Sequence, residues 1–323
     1  MKAEYYLGID GGGTKTAAAL LDGAGRVIAR ALSGSASVYA AGAAVAEDSL
    51  RDVLHQVLSA ARLTPGEVTA VGLALAGAGR EEEKRKARDL LARIASFTRV
   101  LVTHDAEAAL VGGTGRRLGV VLVAGTGAMA YGVNAQGESR RAGGWGYLLG
   151  DEGSGFWIGL EGLRAVLRAH DGRGWPTALT GALLSHLGLP NADALVRWAY
   201  SGQLPVAEIA DLVPLVSQVA LDGDAVAHGI LRRAGEQLAA IVSAVIRRLE
   251  MEGTAVEVVL TGGILEPGGL VRENLAAALQ RASPQARVIE PRRDAAAGAA
   301  LLAMGIVGEK VGECKNGDRE LGT

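Results

Sequence analysis

Apolar residues near the start of the chain come in short runs broken by glycine. Tyr5 to Asp10 is closed by Gly11-Gly12-Gly13, Thr16 to Leu21 by Asp22-Gly23-Ala24-Gly25, and Arg26 to Ala31 follows. Runs of this length between turn residues predict strand, tight turn, strand, turn, strand. The pattern returns at Val120 to Ala124, the turn Gly125-Thr126-Gly127, the run Ala128 to Val133 and the turn Asn134 to Gly137. Gly13 and Gly125 lie 112 positions apart, and so do Gly25 and Gly137. A fixed offset predicts two structurally related halves, although glycine-rich hairpins are common enough to recur by accident.

Between the hairpins, Val45 to Ala61 has helical spacing, Val68 to Ala76 reads as a buried strand, Glu81 to Ala95 as a charged helix and Val100 to Thr103 as a strand. Beyond Gly143 the pattern is mainly helical, with a strand at Val256 to Leu260, a short one near Val288 and an Ala-rich helix from about Asp294 to Met304 that is expected to pack back on the first domain. Alternating strands and helices predict an α/β fold. At 323 residues the chain exceeds what one core usually serves, so two domains with a cleft between them are expected. The breaks in pattern place them at 1–117 plus 294–309 and at 118–293, the latter with helical insertions. The stretch 310–323 is polar, without periodicity, and reads as a frayed tail.

Composition narrows the classes. With 49 % hydrophobic and 21 % charged residues the chain can bury a core. Lys plus Arg number 33 against 35 Asp plus Glu, which leaves no basic excess for a nucleic-acid partner and points to small molecules. One cysteine, Cys314, cannot build a disulfide within the chain, a Cys-rich zinc site or an iron–sulfur ligand set. A cytoplasmic protein fits this. The N-terminus lacks the pattern of an export signal, and no uncharged run approaches about 18 apolar residues, so membrane insertion is not expected.

Several stretches can carry chemistry. Asp10 ends a strand and is followed by Gly11, Gly12, Gly13, Thr14 and Lys15. Backbone N–H groups in such a turn can converge on phosphate oxygens, and a strand-end carboxylate can hold hydrated Mg²⁺ between phosphates; a plain tight hairpin is the bland alternative. The spacing excludes a Walker P-loop. Gly125, Thr126 and Gly127 form a second such turn. Gly125-x-Gly127-x-x-Ala130 mimics a dinucleotide fingerprint, but a strand follows it where that motif needs a helix. Gly262 and Gly263, after the strand Val256 to Leu260, would let a flat base approach the backbone, or simply turn the chain. Asp105, at the end of the strand Val100 to Thr103, is a candidate general base or a helix N-cap. His104 beside it reads as packing or solvent-facing. Gly143-Gly144-Trp145-Gly146 and Asp151-Glu152-Gly153 offer an indole face for a sugar and a carboxylate for its hydroxyls; core packing of Trp145 is the alternative.

Together these residues resemble the eukaryotic-type N-acetylglucosamine kinase group within the BadF/BadG/BcrA/BcrD ATPase family, over nearly all of residues 5 to 305. The carriers are Asp10-Gly-Gly-Gly-Thr-Lys-Thr16, Leu75-Ala-Gly77, Thr103-His-Asp105, Gly125-Thr-Gly127, Gly143-Gly-Trp-Gly146, Gly150-Asp-Glu-Gly-Ser154, Thr261-Gly-Gly263 and Ala297-Gly-Ala299. The resemblance implies two RNase H-like domains of the actin and hexokinase type closing on ATP, and transfer of the γ-phosphoryl group to a sugar 6-hydroxyl. It assigns Asp105 as catalytic base and Asp10 as the Mg²⁺-linked carboxylate. Gly11, Gly12, Gly13, Thr14, Lys15, Gly125, Thr126, Gly127, Gly262 and Gly263 fall to ATP, and Ser37, Asp105, Gly127, Ala128, Gly144, Trp145, Gly146 and Asp151 to the sugar. Relatives also suggest a homodimer. Ser37 stands where the family usually has a sugar-contacting Asn, and Ala128-Met129 where polar residues are frequent. Glucosamine or a wider hexose range therefore stands beside N-acetylglucosamine.

Two other classes compete. An activator of a radical dehydratase needs cluster-bridging cysteines that the chain lacks. A sugar-binding regulatory module of the same fold without kinase activity stays open.

Overall fold

The computed structural model describes residues 3–36, 42–75, 77–78, 80–202 and 204–308. Ser37, Ala76 and the 310–323 stretch with Cys314 lie outside the described residues. The chain divides into two compact units, one running to Gly112 and resuming at Arg293, the other spanning Gly113–Arg292.

In chain order the first elements are β1 (Tyr5–Gly11), β2 (Thr16–Asp22), β3 (Val27–Ser33), α1 (Ala43–Ala61), β4 (Ala70–Leu75), α2 (Glu81–Ile94), β5 (Val100–His104) and α3 (Asp105–Thr114). There follow β6 (Gly119–Ala124), β7 (Ala128–Val133), β8 (Ser139–Gly143), α4 (Gly155–His170), α5 (Leu179–His186), α6 (Ala192–Tyr200), α7 (Val206–Ala210), α8 (Val213–Leu221) and α9 (Ala225–Arg248). The remaining elements are β9 (Val256–Thr261), α10 (Leu270–Ala282), β10 (Ala286–Ile289) and α11 (Ala295–Gly308).

Each unit holds a five-stranded mixed sheet with one strand order, β3-β2-β1-β4-β5 in the first and β8-β7-β6-β9-β10 in the second. In both, the first three strands run antiparallel and the last two are parallel to the central one. This is the RNase H-like order, present twice. The repeat extends to single hydrogen bonds. Asp22 Oδ1 accepts the N–H groups of Ala24 and Arg26, and 112 residues on, Asn134 Oδ1 accepts those of Gln136 and Glu138. Gly25 and Gly137 occupy matching left-handed positions, φ 74° and 80°, which explains the glycine at both.

In the first unit one sheet face is covered by α1 and α2. Leu50, Val53 and Val57 of α1 and Leu90 and Leu91 of α2 bury against Leu7, Ile9, Leu20 and Leu73, as the period-3.6 and period-2 patterns require. The other face is covered by α11, whose Ala296, Ala297, Ala300 and Ala303 meet Tyr6, Ala19, Leu21 and Ala70. The alanines reflect close approach: a methyl on Gly8 would stand 1.9 Å from the Ala296 carbonyl oxygen, and one on Gly72 would stand 2.0 Å from that of Ala299. The expected return of the last helix to the first sheet is thus seen, with a glycine on each of two strands to admit it.

In the second unit Leu238, Val242, Val245 and Ile246 of α9 pack with Val120, Leu122, Ala130, Val258 and Leu260. The edge strand β8 has no counterpart in the sequence reading. Its Ser139-Arg140-Arg141 start is half-buried to exposed, so no apolar alternation marks it.

Candidate active site

In the first unit the antiparallel pairing of β1 and β2 ends at Gly11 and Thr16, and the chain turns through residues 12–15 with the Gly12 N–H on the Lys15 carbonyl at 2.9 Å. The turn is anchored from below. Thr16 Oγ1, fully buried, donates to the Gly34 carbonyl at 2.7 Å, and Ser35 Oγ donates to that of Gly12 at 3.2 Å. A methyl on Gly11 would meet Leu75 Cδ2 at 2.3 Å and Ala36 Cβ at 3.1 Å. Gly13, Thr14 and Lys15 form the exposed tip. The Gly13 and Thr14 N–H groups enter no hydrogen bond among the described residues, which suits a turn that takes phosphate oxygens.

Asp10 lies one residue inside this turn, level with Ala74 of β4, and β5 pairs with β4 beyond it. That parallel arrangement brings the end of β5 and the start of α3 to the same end of the sheet. Asp105 opens α3 and its Oδ1 accepts the Ala106 N–H at 2.9 Å, while Oδ2 has no hydrogen bond among the described residues. The deeper capping position is filled by His104, whose Nδ1 accepts the Glu107 N–H at 3.2 Å. His104 is thus a half-buried helix cap, and Asp105 keeps one carboxylate oxygen for other chemistry. Thr103 Oγ1 donates to the Glu107 carboxylate.

Asp10 is the most perturbed acid of this group. Burial raises its pKa to about 7, the Asp105 charge and then the Asp294 charge add to the rise, and the Lys15 ammonium opposes it. Asp294 did not enter the candidate site from sequence. Its role as N-cap of α11, accepting the Ala297 N–H at 2.9 Å, is what an Asp before an Ala-rich run signals. Its other oxygen pairs with Arg30 on β3. Three carboxylates thus share one neighbourhood in the first unit.

In the second unit Gly125, Thr126 and Gly127 join β6 to β7. The Gly125 N–H donates to the Gly127 carbonyl at 2.9 Å. From outside, the Gly155 N–H reaches the Gly125 carbonyl at 2.7 Å and the Phe156 N–H reaches that of Thr126 at 3.2 Å, so the first turn of α4 clamps the loop's acceptors. The Thr126 and Gly127 N–H groups enter no hydrogen bond among the described residues, and Thr126 is exposed. Gly144 pairs back onto this turn through its N–H on the Ala128 carbonyl at 2.8 Å. Gly143, Gly144 and Gly146 all have left-handed backbone, at φ 74°, 69° and 83°, and a methyl on Gly144 would press on Met129.

Trp145 is 64 % exposed, with the Arg141 guanidinium over its ring at 4.9 Å, so core packing is not its role. Asp151 is 8 % exposed. Burial raises its pKa, the Glu152 charge adds to the rise, and the backbone N–H groups of Ala128 and Gly146 work against it.

Gly262, at φ 111°, ends β9 beside this turn. A methyl there would lie 2.0 Å from the Ala124 carbonyl oxygen, so its glycine is required by the sheet itself. Gly263 meets no neighbour within 4 Å and is the open one of the pair. The structure therefore gathers Asp10, residues 11–15 and Asp105 in one unit, and residues 125–128, 144–146, Asp151 and 262–263 in the other.

Similarity to known proteins covers nearly the whole chain. The BadF/BadG/BcrA/BcrD ATPase family model matches residues 7–303. An N-acetyl-D-glucosamine kinase of Dictyostelium discoideum is 34 % identical over 94 % of this chain and 99 % of its own. An N-acetylmuramic acid/N-acetylglucosamine kinase of Clostridium acetobutylicum is 31 % identical over 93 % and 98 %. A crystal structure of a candidate N-acetylglucosamine kinase from Chromobacterium violaceum superposes with a TM-score of 0.76 at 30 % identity, covering 93 % of this chain and 98 % of that one. With the duplicated RNase H-like sheets, the glycine turns at the β1–β2 and β6–β7 hairpins and this full-length similarity, the chain belongs to the BadF/BadG/BcrA/BcrD ATPase family.

Proposed function

We propose that this protein is an ATP-dependent sugar kinase that phosphorylates the 6-hydroxyl of N-acetylglucosamine, with glucosamine or a related hexose as the next candidates. The observation that carries the reading is Asp105: a carboxylate at a strand's carboxyl end, one oxygen on its own helix and the other without a hydrogen bond among the described residues, beside the phosphate-type turn that follows Asp10. In this reading Asp105 accepts the proton of the sugar hydroxyl as the hydroxyl oxygen bonds to the γ-phosphorus and the bond to the β–γ bridging oxygen breaks, releasing ADP. Gly11, Gly12, Gly13, Thr14, Lys15, Gly125, Thr126 and Gly127 serve the phosphates. Gly263, with Gly262 fixing its turn, serves the base. Gly144, Trp145 and Gly146 present the sugar surface.

Asp10 fits Mg²⁺ on the structure's own terms. A half-buried carboxyl crowded by two other acids is relieved by a divalent cation. In this reading the cation is held by that one carboxylate, phosphate oxygens and water. Bound there, Mg²⁺ would neutralise phosphate charge during transfer. Among the described residues no helix is long and apolar enough to cross a membrane. We place the reaction in the cytoplasm. A homodimer is supported by the exposed Val196, Tyr200 and Leu221 of the second unit's helices and Trp175 in the loop between α4 and α5.

The kinases named above in Clostridium and Dictyostelium support N-acetylglucosamine as the first sugar to try. An assay of sugar-dependent ADP formation across N-acetylglucosamine, glucosamine, glucose and N-acetylmuramic acid tests the reading. Turnover with N-acetylglucosamine is expected; ADP release indifferent to every sugar would end the kinase reading in favour of a regulatory module.

A further inference from the structure

Three non-glycine residues among those described have left-handed backbone: Arg62, Asp151 and Glu250. Arg62 and Glu250 lie at the ends of α1 and α9, where such a residue terminates a helix. Asp151 ends no helix. It lies at φ 59° in the loop between β8 and α4, a conformation that costs a non-glycine residue about 1 kcal/mol or more. Its neighbours Tyr147, Leu148 and Leu149 are exposed, whereas Asp151 is buried. Something holds this side chain inward against both the strain and the cost of burying a carboxylate.

The contacts show what. The carboxylate's charge is favoured by backbone N–H groups of two different loops, those of Ala128 at the end of the Gly125–Gly127 turn and of Gly146 in the glycine-tryptophan loop, and the Gly150 N–H just before it closes that second loop on the Gly146 carbonyl at 2.9 Å. Its Oδ2 lies where a methyl on Gly127 would stand, at 2.8 Å, so the turn admits the carboxylate because residue 127 has no side chain. The Asp151 carbonyl accepts the Ser154 N–H at 3.0 Å, and that turn delivers the Gly155 and Phe156 N–H groups to the Gly125 and Thr126 carbonyls. The phosphate-type turn is thus held on its acceptor side by α4 and at its exit by Asp151, and the same carboxylate fixes the loop that carries Trp145.

We infer that Asp151 is a positioning residue that ties the Gly125–Gly127 turn to the Gly143–Gly146 loop, so that the grip on the nucleotide and the surface for the sugar shift together. The inference rests on the kinase reading for its substrates. A carboxylate that served only to accept sugar hydroxyls would affect the sugar alone; a tie affects both ligands.

The test measures kcat and both KM values for wild type, Asp151→Asn, Asp151→Ala and Asp151→Gly. Asp151→Ala should raise KM for ATP and for N-acetylglucosamine alike, each about tenfold or more, as loss of a charge that holds the N–H groups of both loops implies. Asp151→Asn, which tolerates left-handed backbone and keeps one acceptor oxygen, should fall between. Asp151→Gly relieves the strain yet should recover neither KM. A rise confined to the sugar KM, full recovery in the glycine variant, or a lower kcat with both KM values unchanged would each overturn the tie. If wild type forms no ADP with any sugar, the kinase reading falls by itself and the tie is judged by hydrogen exchange. Amides of 125–128 and 143–146 should then exchange faster together in Asp151→Ala, and acceleration of one segment alone, or of neither, would overturn it.

Discussion

Asp105 raises the proton affinity of Asp10. The two carboxyls belong to one unit, and the charge on Asp105 adds to burial in lifting Asp10 to a pKa of about 7. An acid so placed binds its proton more tightly in the folded chain than in the unfolded one, whose carboxyl titrates near 3.8. Stability is therefore lost as pH rises from about 4 to about 7 and is level above that, by up to about 4 kcal/mol at 1.36 kcal/mol for each unit of pKa. Asp10→Asn has no proton to lose. Its apparent melting temperature should exceed that of wild type by more at pH 8 than at pH 5, and a difference independent of pH would refute the account.

Removing the base should separate chemistry from binding. Asp105→Asn is expected to lose about 10² to 10⁴ in sugar-dependent kcat while ATP still raises its melting temperature. The substitution should also lower the Asp10 pKa, since a neutral amide no longer repels that carboxylate. Near-full activity in this variant would remove Asp105 from the reaction.

Two glycines test the packing. Gly72→Ala places a methyl 2.0 Å from the Ala299 carbonyl oxygen, a clash with backbone that no rotamer relieves. A loss of about 3 kcal/mol or more is expected. Gly229 lies within α9 with nothing in the methyl's way, so Gly229→Ala should gain up to about 1 kcal/mol. Denaturant midpoints for both variants decide this, and equal effects would mean that α11 does not bear on β4 as described.

Trp145 should matter to the sugar and not to the fold. Being 64 % exposed with one cation–π neighbour, Trp145→Ala should change stability by no more than about 1 kcal/mol. The sugar KM should rise several-fold with the ATP KM little changed. An unchanged sugar KM would take the indole off the sugar surface.

The elements were legible wherever a local rule governs them. Turn glycines, strand alternation and the helical spacing of α1 and α2 are contained in windows of a few residues, so both central hairpins and the α/β layering follow from the chain itself. The edge strand β8 was not, because exposed Arg140 carries no apolar signal; the 112-residue offset from Val27 at the start of β3 leads to Ser139 and would have found it. The capping role of His104 was not legible because it depends on ring orientation. Why residue 262 is glycine was not legible, because its nearest constraint is the Ala124 carbonyl on a strand more than 130 residues earlier. Asp294 escaped the candidate site for the same reason: it is adjacent to Asp10 only after the last helix has returned to the first sheet.

That return sets an order of events during synthesis. The stripe formed by Gly8, Ala19, Leu21 and Gly72 waits for a helix encoded more than 200 residues downstream of it. Until residues 295–308 leave the ribosome, the N-terminal sheet has one face uncovered, whereas Gly113–Arg292 is contiguous and can close on itself first. A nascent chain stalled before Asp294 would thus present a long-lived, alanine- and leucine-lined surface to chaperones, and translation of the last helix would be the event that retires it.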